Sequence, residues 1–424
     1  MTSPTPHATM SRALGLVRTY GLVALAAAAP LSSWARLGPV TAADVLLALL
    51  AATGLAEILM LKTPWRHALP PVGAFALLVV GAASGIAALG NGHVTAIVKE
   101  LVQLSQVVIV GYAYVFFAAR DRRVTDRALI AFAAAFTIHV LLAWIQLFGW
   151  EHAFLVRGLT DHRNAFGALA AVACPVLVCV GLAPRRHAAL RAWYLLIAVL
   201  ALFTLTSGGA AAAAVGGILV GASATGWRRG AIALAAVALV ALVAQPLALP
   251  RVRAAQLRSV SFLPEDESGR RAPSARIRRW QAGMNALADY PALGVGPGQF
   301  QKRISEYYFP PFDKLHGSSD DIPGFDVRFD EPGTQCLYEV TAVETGLFGL
   351  LALGAFFAGV IARLARRVPV DASGVAAGAL GVVAAVLVLG VFTTPLVRGV
   401  ALTLVLVLAL GDASGGDVCA GDRQ

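Results

Sequence analysis

The chain alternates between long apolar runs and shorter polar connections, and the length of the apolar runs is its dominant feature. Because an α-helix rises about 1.5 Å per residue, about 20 apolar residues cross the roughly 30 Å of membrane hydrocarbon. About twelve runs come near this length, and they lack the alternation of transmembrane barrel strands. The pattern predicts an all-α integral membrane protein with about twelve transmembrane helices, near residues 18–34, 41–60, 70–89, 96–119, 128–148, 164–183, 192–206, 210–226, 231–249, 336–362, 372–391 and 396–411. The first, seventh, eighth and last runs are short enough to be half-spans.

Lysine and arginine are distributed unevenly among the polar connections. Cytoplasmic loops of membrane proteins are rich in these residues, so their distribution predicts orientation. With the N-terminus inside, the basic segments 120–127, 185–191 and 363–367 are cytoplasmic, and the short external loops hold few basic residues. With the N-terminus inside and nine apolar runs before it, the long polar segment 250–335 is predicted to lie outside the cytoplasm. A structureless loop of this length is unusual, so the segment is expected to fold as a small domain.

These observations predict four regions along the chain. The first apolar run follows Arg12 and Arg18 and has features of a signal peptide, but the many later runs favour an uncleaved first helix. The predicted regions are transmembrane helices one to nine in 1–249, an external loop domain with short helices in 250–335, helices ten to twelve in 336–411, and a cytoplasmic tail in 412–424.

The composition supports a membrane protein. Of the 424 residues, 58% are hydrophobic and 14% are charged, and the mean hydropathy is +0.72. Soluble domains are about 45–50% apolar and about 25% charged. The net charge of +10 is expected of basic cytoplasmic loops, so nucleic-acid binding is not indicated. No Cys-x-x-Cys spacing indicates a disulfide framework or a zinc site among Cys174, Cys179, Cys336 and Cys419.

The most distinctive polar motif lies in the external segment. It runs from Arg276-Ile-Arg-Arg-Trp280 to Pro291-Ala-Leu-Gly294-Val-Gly296-Pro-Gly298-Gln-Phe300. The pattern predicts a basic amphipathic helix over 275–287, with Trp280 and Met284 on one face, followed by a glycine-rich turn. The exposed amides of such a turn suit a phosphate or a sugar. The alternative is a helix and turn packed on the membrane domain, with arginines facing lipid head groups. A nucleotide-binding loop is disfavoured because no P-loop motif is present.

A second candidate site lies at two external helix ends. Arg163 stands where the sixth apolar run begins, and a charge at that depth is costly unless it meets a partner or a ligand. Lys99 is likewise a charged residue near the external end of the fourth run, where it is expected to meet a partner or a ligand. The alternatives to ligand binding are an ion pair with Glu100 and snorkelling to the interface. His162 is interpreted as an exposed loop histidine.

A third candidate site opens the tenth apolar run. Glu339 and Glu344 enter a hydrophobic helix, so each is expected to face the bundle interior or water. Glu344, two residues before Gly346, is assigned to packing or structural hydrogen bonding. Glu339 lies nearer the surface and is the better chemical candidate, with a structural ion pair to an external arginine as the alternative.

These three segments, in this order, resemble the O-antigen ligase and O-antigen polymerase superfamily of GT-C type integral membrane glycosyltransferases. The resemblance covers most of the chain. Its first motif, an arginine and a tryptophan followed by a proline, a leucine, three alternating glycines and a phenylalanine, is matched by Arg276, Trp280, Pro291, Leu293, Gly294, Gly296, Gly298 and Phe300. Its second motif ends in E-x-G-x-x-G and is matched by Tyr338, Glu344, Gly346 and Gly349.

The resemblance implies a glycan transfer on the periplasmic side of the bacterial inner membrane. The implied donor is a glycan on undecaprenyl diphosphate, and the implied acceptor is a hydroxyl of the lipid A core or of another glycan. Arg163 and Arg276, with Lys99 and Arg279, would neutralise the departing diphosphate. Neither a cofactor nor a metal is implied.

The chain departs from this superfamily at one position. A histidine thought to help deprotonate the acceptor is replaced by Gln335, and glutamine cannot act as a general base. Either another group takes this role, with Glu339, His316 and Asp320 as candidates, or the protein does something else. A solute transporter and a non-catalytic envelope scaffold are the alternatives from other functional classes.

The predicted orientation is testable by cysteine labelling from outside intact cells. We expect a cysteine introduced at Ser268 to react, because the segment 250–335 is predicted to be external, and one introduced at Arg123 to stay unlabelled. Labelling at position 123 with none at position 268 would overturn the arrangement.

Overall fold

The structure is a computed structural model, and its described part is almost entirely helical. It describes residues 6–31, 36–37, 40–61, 69–90, 93–149, 156–160, 163–184, 186–247, 275–307, 336–394 and 400–414. The helices before the long polar segment are α1 (Pro6–Leu31), α2 (Ala42–Leu61), α3 (Val72–Ala87), α4 (Val94–Leu104), a π-helix (Ser105–Gly111), α5 (Tyr112–Ala118), α6 (Arg122–Gly149), α7 (Arg163–Leu182), α8 (Ala188–Thr204), α9 (Gly208–Ala224) and α10 (Trp227–Leu247).

Six further elements complete the described chain. They are α11 (Ala275–Asp289), the single turn α12 (Phe300–Arg303), a 3₁₀ turn (Ile304–Tyr307), α13 (Leu337–Arg367), α14 (Val375–Phe392) and α15 (Val400–Ala413). Two short antiparallel strands, β1 (Arg36–Leu37) and β2 (Val40–Thr41), precede α2, with Arg36 opposite Thr41. The Asp44 carboxylate accepts the Thr41 backbone N–H and hydroxyl at 2.9 and 2.8 Å, which fixes the start of α2.

Each predicted apolar run coincides with a helix, and the fourth run is built from α4, the π-helix and α5. Within the described residues, seven helical segments are long and apolar enough to cross a membrane by length and composition. The shorter apolar helices are α3, α8, α9 and α15. The first run was predicted to be short, which is wrong, because α1 continues through the polar residues before it. The number of spans and their orientation stay predictions.

The centre of the bundle is formed by α7, α9 and α14, and it depends on small residues. A Cβ on Gly217 of α9 would lie 2.6 Å from the carbonyl oxygen of Gly381 in α14. One turn further, a Cβ on Gly221 would lie 2.8 Å from the carbonyl oxygen of Ala377. Backbones that approach this closely gain van der Waals contact, which replaces the hydrophobic driving force that is missing between helices in lipid.

At one end of the bundle, a buried carboxylate connects several helices. Asp412, only 2% exposed, lies in the last turn of α15 and accepts the Tyr112 hydroxyl at 2.8 Å. Arg363 of α13 donates to the same carboxylate at 3.2 Å and to the carbonyl oxygens of Leu69 and Pro70 at 2.8 and 3.3 Å. Arg367 lies 3.7 Å from it. Because a buried charge is stable only with such partners, this network fixes α5, α13, α15 and the start of α3 together.

Candidate functional site

The site is organised by a break in α13. Gly346 has φ 69° and ψ −168°, so the chain leaves the helical conformation at that residue. The break separates the carbonyl groups of Val343 and Glu344 from the amides of Leu347 and Phe348, which an unbroken helix would pair four residues apart. Unpaired backbone groups are costly in an apolar environment, so these four groups need other partners.

The glycine-rich turn that follows α11 supplies all four partners. It runs beside the break and forms two hydrogen bonds with each side of it. The bonds are Val295 N–H to Val343 O at 2.8 Å, Gly296 N–H to Glu344 O at 3.0 Å, Leu347 N–H to Pro291 O at 2.9 Å and Phe348 N–H to Ala292 O at 3.4 Å. The segment that contains α11 and the glycine-rich turn is therefore fastened to α13 through the backbone.

Two motif glycines make this close approach feasible. Gly294 has φ 68°, and a Cβ there would collide with the carbonyl oxygen of Val343. A Cβ on Gly346 would collide with the carbonyl oxygen of Ala292. The amide of Gly294 donates to Tyr290 O at 3.1 Å, and the amide of Gly296 donates to Glu344 O at the break. Since both amides have internal partners, the geometry favours the packing alternative over exposed anion-binding amides here.

The turn is also tied to α3 and α4. Ser84 of α3 donates its hydroxyl to Glu344 O at 2.7 Å. Gln299, which is fully buried, accepts the His93 N–H at 3.2 Å and donates to the His93 carbonyl at 3.3 Å, directly before α4. A Cβ on Gly298 would lie 2.9 Å from Glu100 Cγ, so α4 packs against the turn. Sequence reasoning missed Ser84 and Gln299, although a serine in an apolar run and a glutamine inside the motif are signals of such roles.

Glu344 also binds the glycine-rich turn through its side chain. Its carboxylate accepts the Phe300 N–H at 3.2 Å, which agrees with the structural hydrogen bonding predicted for it. Below the turn, a small apolar cluster joins α11 to α13, formed by Ala282, Ala286, Val295, Phe300 and Val343. Helix α11 thus packs through Ala282 and Ala286, whereas Met284, predicted to share a face with Trp280, is 64% exposed.

The chain after the glycine-rich turn folds back on α11. Asn285 donates its side-chain amide to Tyr307 O at 3.0 Å. Arg303 lies over the rings of Tyr290 and Tyr307 at 5.5 and 5.9 Å, and it donates to Glu306 at 3.1 Å. Burial raises the pKa of the Tyr307 hydroxyl, against the opposing charge of Arg303. These contacts make residues 275–307 one compact unit.

Glu339 lies where α11 crosses the first turn of α13. Both of its carboxylate oxygens are buried, and a Cβ on Gly283 would lie 2.7 Å from Oε1. Positions 276, 279, 280 and 283 share one face of α11 because they are spaced by three, four or seven residues. Glu339 is therefore next to the helix face to which Arg276, Arg279 and Trp280 belong.

The other predicted donor-site residues come from different helices. Arg163 is the first residue of α7 and is half-buried, and Lys99 lies exposed on α4 beside Glu100. The start of α7 packs on α9 at Ala210, and the start of α9 packs on Phe392 at the end of α14. The Tyr338 hydroxyl of α13 donates to Leu387 O of α14 at 2.6 Å. Arg163 and Glu339 thus lie at the same end of the bundle.

Four predicted residues, Gln335, His316, His162 and Asp320, lie outside the described residues. Arg276 and Arg279 belong to the first two turns of α11. Among the described residues, no group of three or more metal-binding side chains is present.

The long apolar helices define the class of this protein, a multi-pass helical membrane protein. The O-antigen ligase family model matches residues 192–322, a region that includes α11 and the whole glycine-rich turn. This match confirms the resemblance to the O-antigen ligase and polymerase superfamily and indicates a membrane glycosyltransferase of that type. No curated protein matches the chain.

The docking of the turn predicts a strong effect of Gly346→Ala. The added methyl group collides with Ala292 O and strains a positive φ, a conformation that costs about 1–3 kcal/mol for other residues. We expect faster amide hydrogen exchange over residues 291–298 and lower thermal stability. Gly354→Ala in the same helix is the control, since a Cβ there meets nothing within 4 Å. Unchanged exchange in Gly346→Ala would contradict the docking.

Proposed function

We propose that this protein is a glycan ligase of the external membrane face, which transfers a glycan from undecaprenyl diphosphate to an acceptor hydroxyl of the lipid A core. The observation that carries the proposal is the docking of α11 and its glycine-rich turn into the break of α13. The O-antigen ligase family match covers that external unit. The docking gives a basic helix a fixed position beside a long apolar helix, which supports the binding of a lipid-linked anion.

The proposed chemistry is stabilisation of a departing diphosphate. As the bond between the sugar and the donor phosphate breaks, negative charge builds up on the phosphate oxygen. Arg163 and Arg276 are proposed to stabilise that charge, with Arg279 on the same helix and Lys99 on α4. Prepositioned cations act strongly in a partly dry site because little solvent screens them. The fixed starts of α4 and α7 support such prepositioning.

Glu339 is the proposed general base. Gln335 cannot accept the proton of the acceptor hydroxyl, whereas Glu339 lies four residues further along the chain, in the first turn of α13. Its buried carboxylate at Gly283 is next to the face of Arg276. The alternative role for Glu339 is a structural ion pair with an arginine of the external unit.

A glycan polymerase of the same superfamily is the second candidate, because ligases and polymerases share these motifs. A solute transporter is less well supported. Broken helices line the substrate sites of many transporters, where the freed backbone groups bind the substrate. At Gly346 the four freed groups are already bonded to the turn. The envelope scaffold stays an alternative that the activity assay distinguishes.

The donor site predicts that Arg276→Ala and Arg163→Ala each abolish glycan transfer in reconstituted membranes without lowering the amount of folded protein. Loss of one charge-assisted contact to the leaving group reduces the rate by on the order of a hundredfold or more. Arg366→Ala is the control, since Arg366 is hydrogen-bonded to Ala362 O within its own helix. Near-normal transfer by Arg276→Ala would refute the assigned role.

The proposed role of Glu339 as the general base is tested in the same glycan-transfer assay with the variants Glu339→Gln and Gln335→His. We expect Glu339→Gln to lose transfer while its thermal stability is retained, because the amide has nearly the same shape but cannot accept the proton. Glu306→Gln is the control, a carboxylate on the outer side of the same unit. Unchanged transfer by Glu339→Gln would remove Glu339 from the mechanism. If the wild type transfers no glycan to any acceptor, the transporter and scaffold alternatives are favoured.

A further inference from the structure

A fully buried histidine in the middle of an apolar helix connects three parts of the chain. His139 of α6 accepts the Leu159 N–H at its Nδ1 atom, at 3.2 Å. Since Nδ1 is an acceptor, the ring is neutral, and its Nε2–H donates to the Pro30 carbonyl of α1 at 2.9 Å. Both ring nitrogens are used, so the position of the loop before α7 depends on this side chain.

Gln146 lies seven residues further along α6, on the same face as His139, and binds the same loop. Its Oε1 accepts the N–H groups of Arg157 and Gly158, and its Nε2 donates to the Gly158 carbonyl, each at 2.9 Å. The loop is closed by Thr160, whose N–H and hydroxyl both donate to the Arg157 carbonyl, at 3.0 and 2.7 Å. We call residues Arg157–Thr160 the α7 entry turn.

The α7 entry turn packs directly on the helix that begins with Arg163. Gly158 has φ 57°, and a Cβ there would lie 3.1 Å from His139 Nδ1 and 3.3 Å from the ring of Phe166. Phe166 is buried in the first turn of α7, three residues after Arg163 and therefore on the same face. A shift of the turn would displace Phe166, and Arg163 would move with it.

We propose that His139 and Gln146 are positioning residues for the donor site, which hold the α7 entry turn so that Arg163 meets the donor diphosphate. The inference rests on the proposed function. Polar side chains within an apolar helix are costly, and packing α6 against α1 does not by itself require them. Here both are used to fix one short turn, and the turn contacts the helix that carries a proposed diphosphate ligand.

The test uses the full-length protein in lipid nanodiscs and compares Gln146→Ala, His139→Phe and the control Thr137→Val. The Thr137 hydroxyl is bonded to Ala133 O within α6, so its loss should change neither measurement. The first measurement is amide hydrogen exchange over residues 163–168. The second is the KM for a polyprenyl-diphosphate glycan and, separately, the KM for the acceptor.

We expect exchange over 163–168 to rise at least about fivefold in both variants, since the first turn of α7 loses its support. We expect the donor KM to rise about tenfold and the acceptor KM to stay unchanged, as loss of donor binding alone predicts. Adding Arg163→Ala to Gln146→Ala should then raise the donor KM little further than Arg163→Ala does, because the two act through one contact.

Unchanged exchange in both variants would overturn the positioning role. Faster exchange with an unchanged donor KM, or an equal rise in both KM values, would overturn its connection to the donor. A wild-type protein that transfers no glycan would overturn the proposed function and the donor connection, and the exchange measurement would still decide whether His139 and Gln146 position α7.

Discussion

The structure depends on the requirement that backbone hydrogen-bonding groups be paired where water is absent. Helix α13 breaks at Gly346, and the break would leave two carbonyls and two amides without partners. The glycine-rich turn provides all four, and Ser84 adds a bond to one of the same carbonyls. The polar unit of residues 275–307 is thereby fixed to a long apolar helix. Its orientation follows from backbone bonds, which constrain the chain more than side-chain packing alone would.

Two glutamines extend the same principle to the helices that begin nearby. Gln299 forms a donor and an acceptor bond with the backbone of His93, directly before α4. Gln146 does the same with the backbone of Gly158, before α7. A primary amide can pair with a peptide group as a neighbouring strand would. These are the two helices that carry Lys99 and Arg163, so both basic residues follow a fixed turn.

Each end of the bundle contains a buried carboxylate group. Asp412 is surrounded by Tyr112, Arg363 and Arg367, so its charge is compensated by described side chains. Glu339 lies beside Gly283, on the face of α11 to which Arg276 belongs. The first arrangement is a closed structural connection between helices. The second lies where α11 crosses the first turn of α13.

The sequence by itself determined the helical class, because runs of about 20 apolar residues have few other structures available in lipid. It also located α11 and singled out the motifs around Trp280 and Gly346. Only the tertiary structure decided what the motif glycines do, since the close approach of Gly294 to the carbonyl of Val343 joins residues that are distant in the chain. The roles of His139 and Gln146 could not be predicted from the sequence for the same reason. A single polar residue in an apolar run has no periodicity, and its role depends on a partner that folding brings to it.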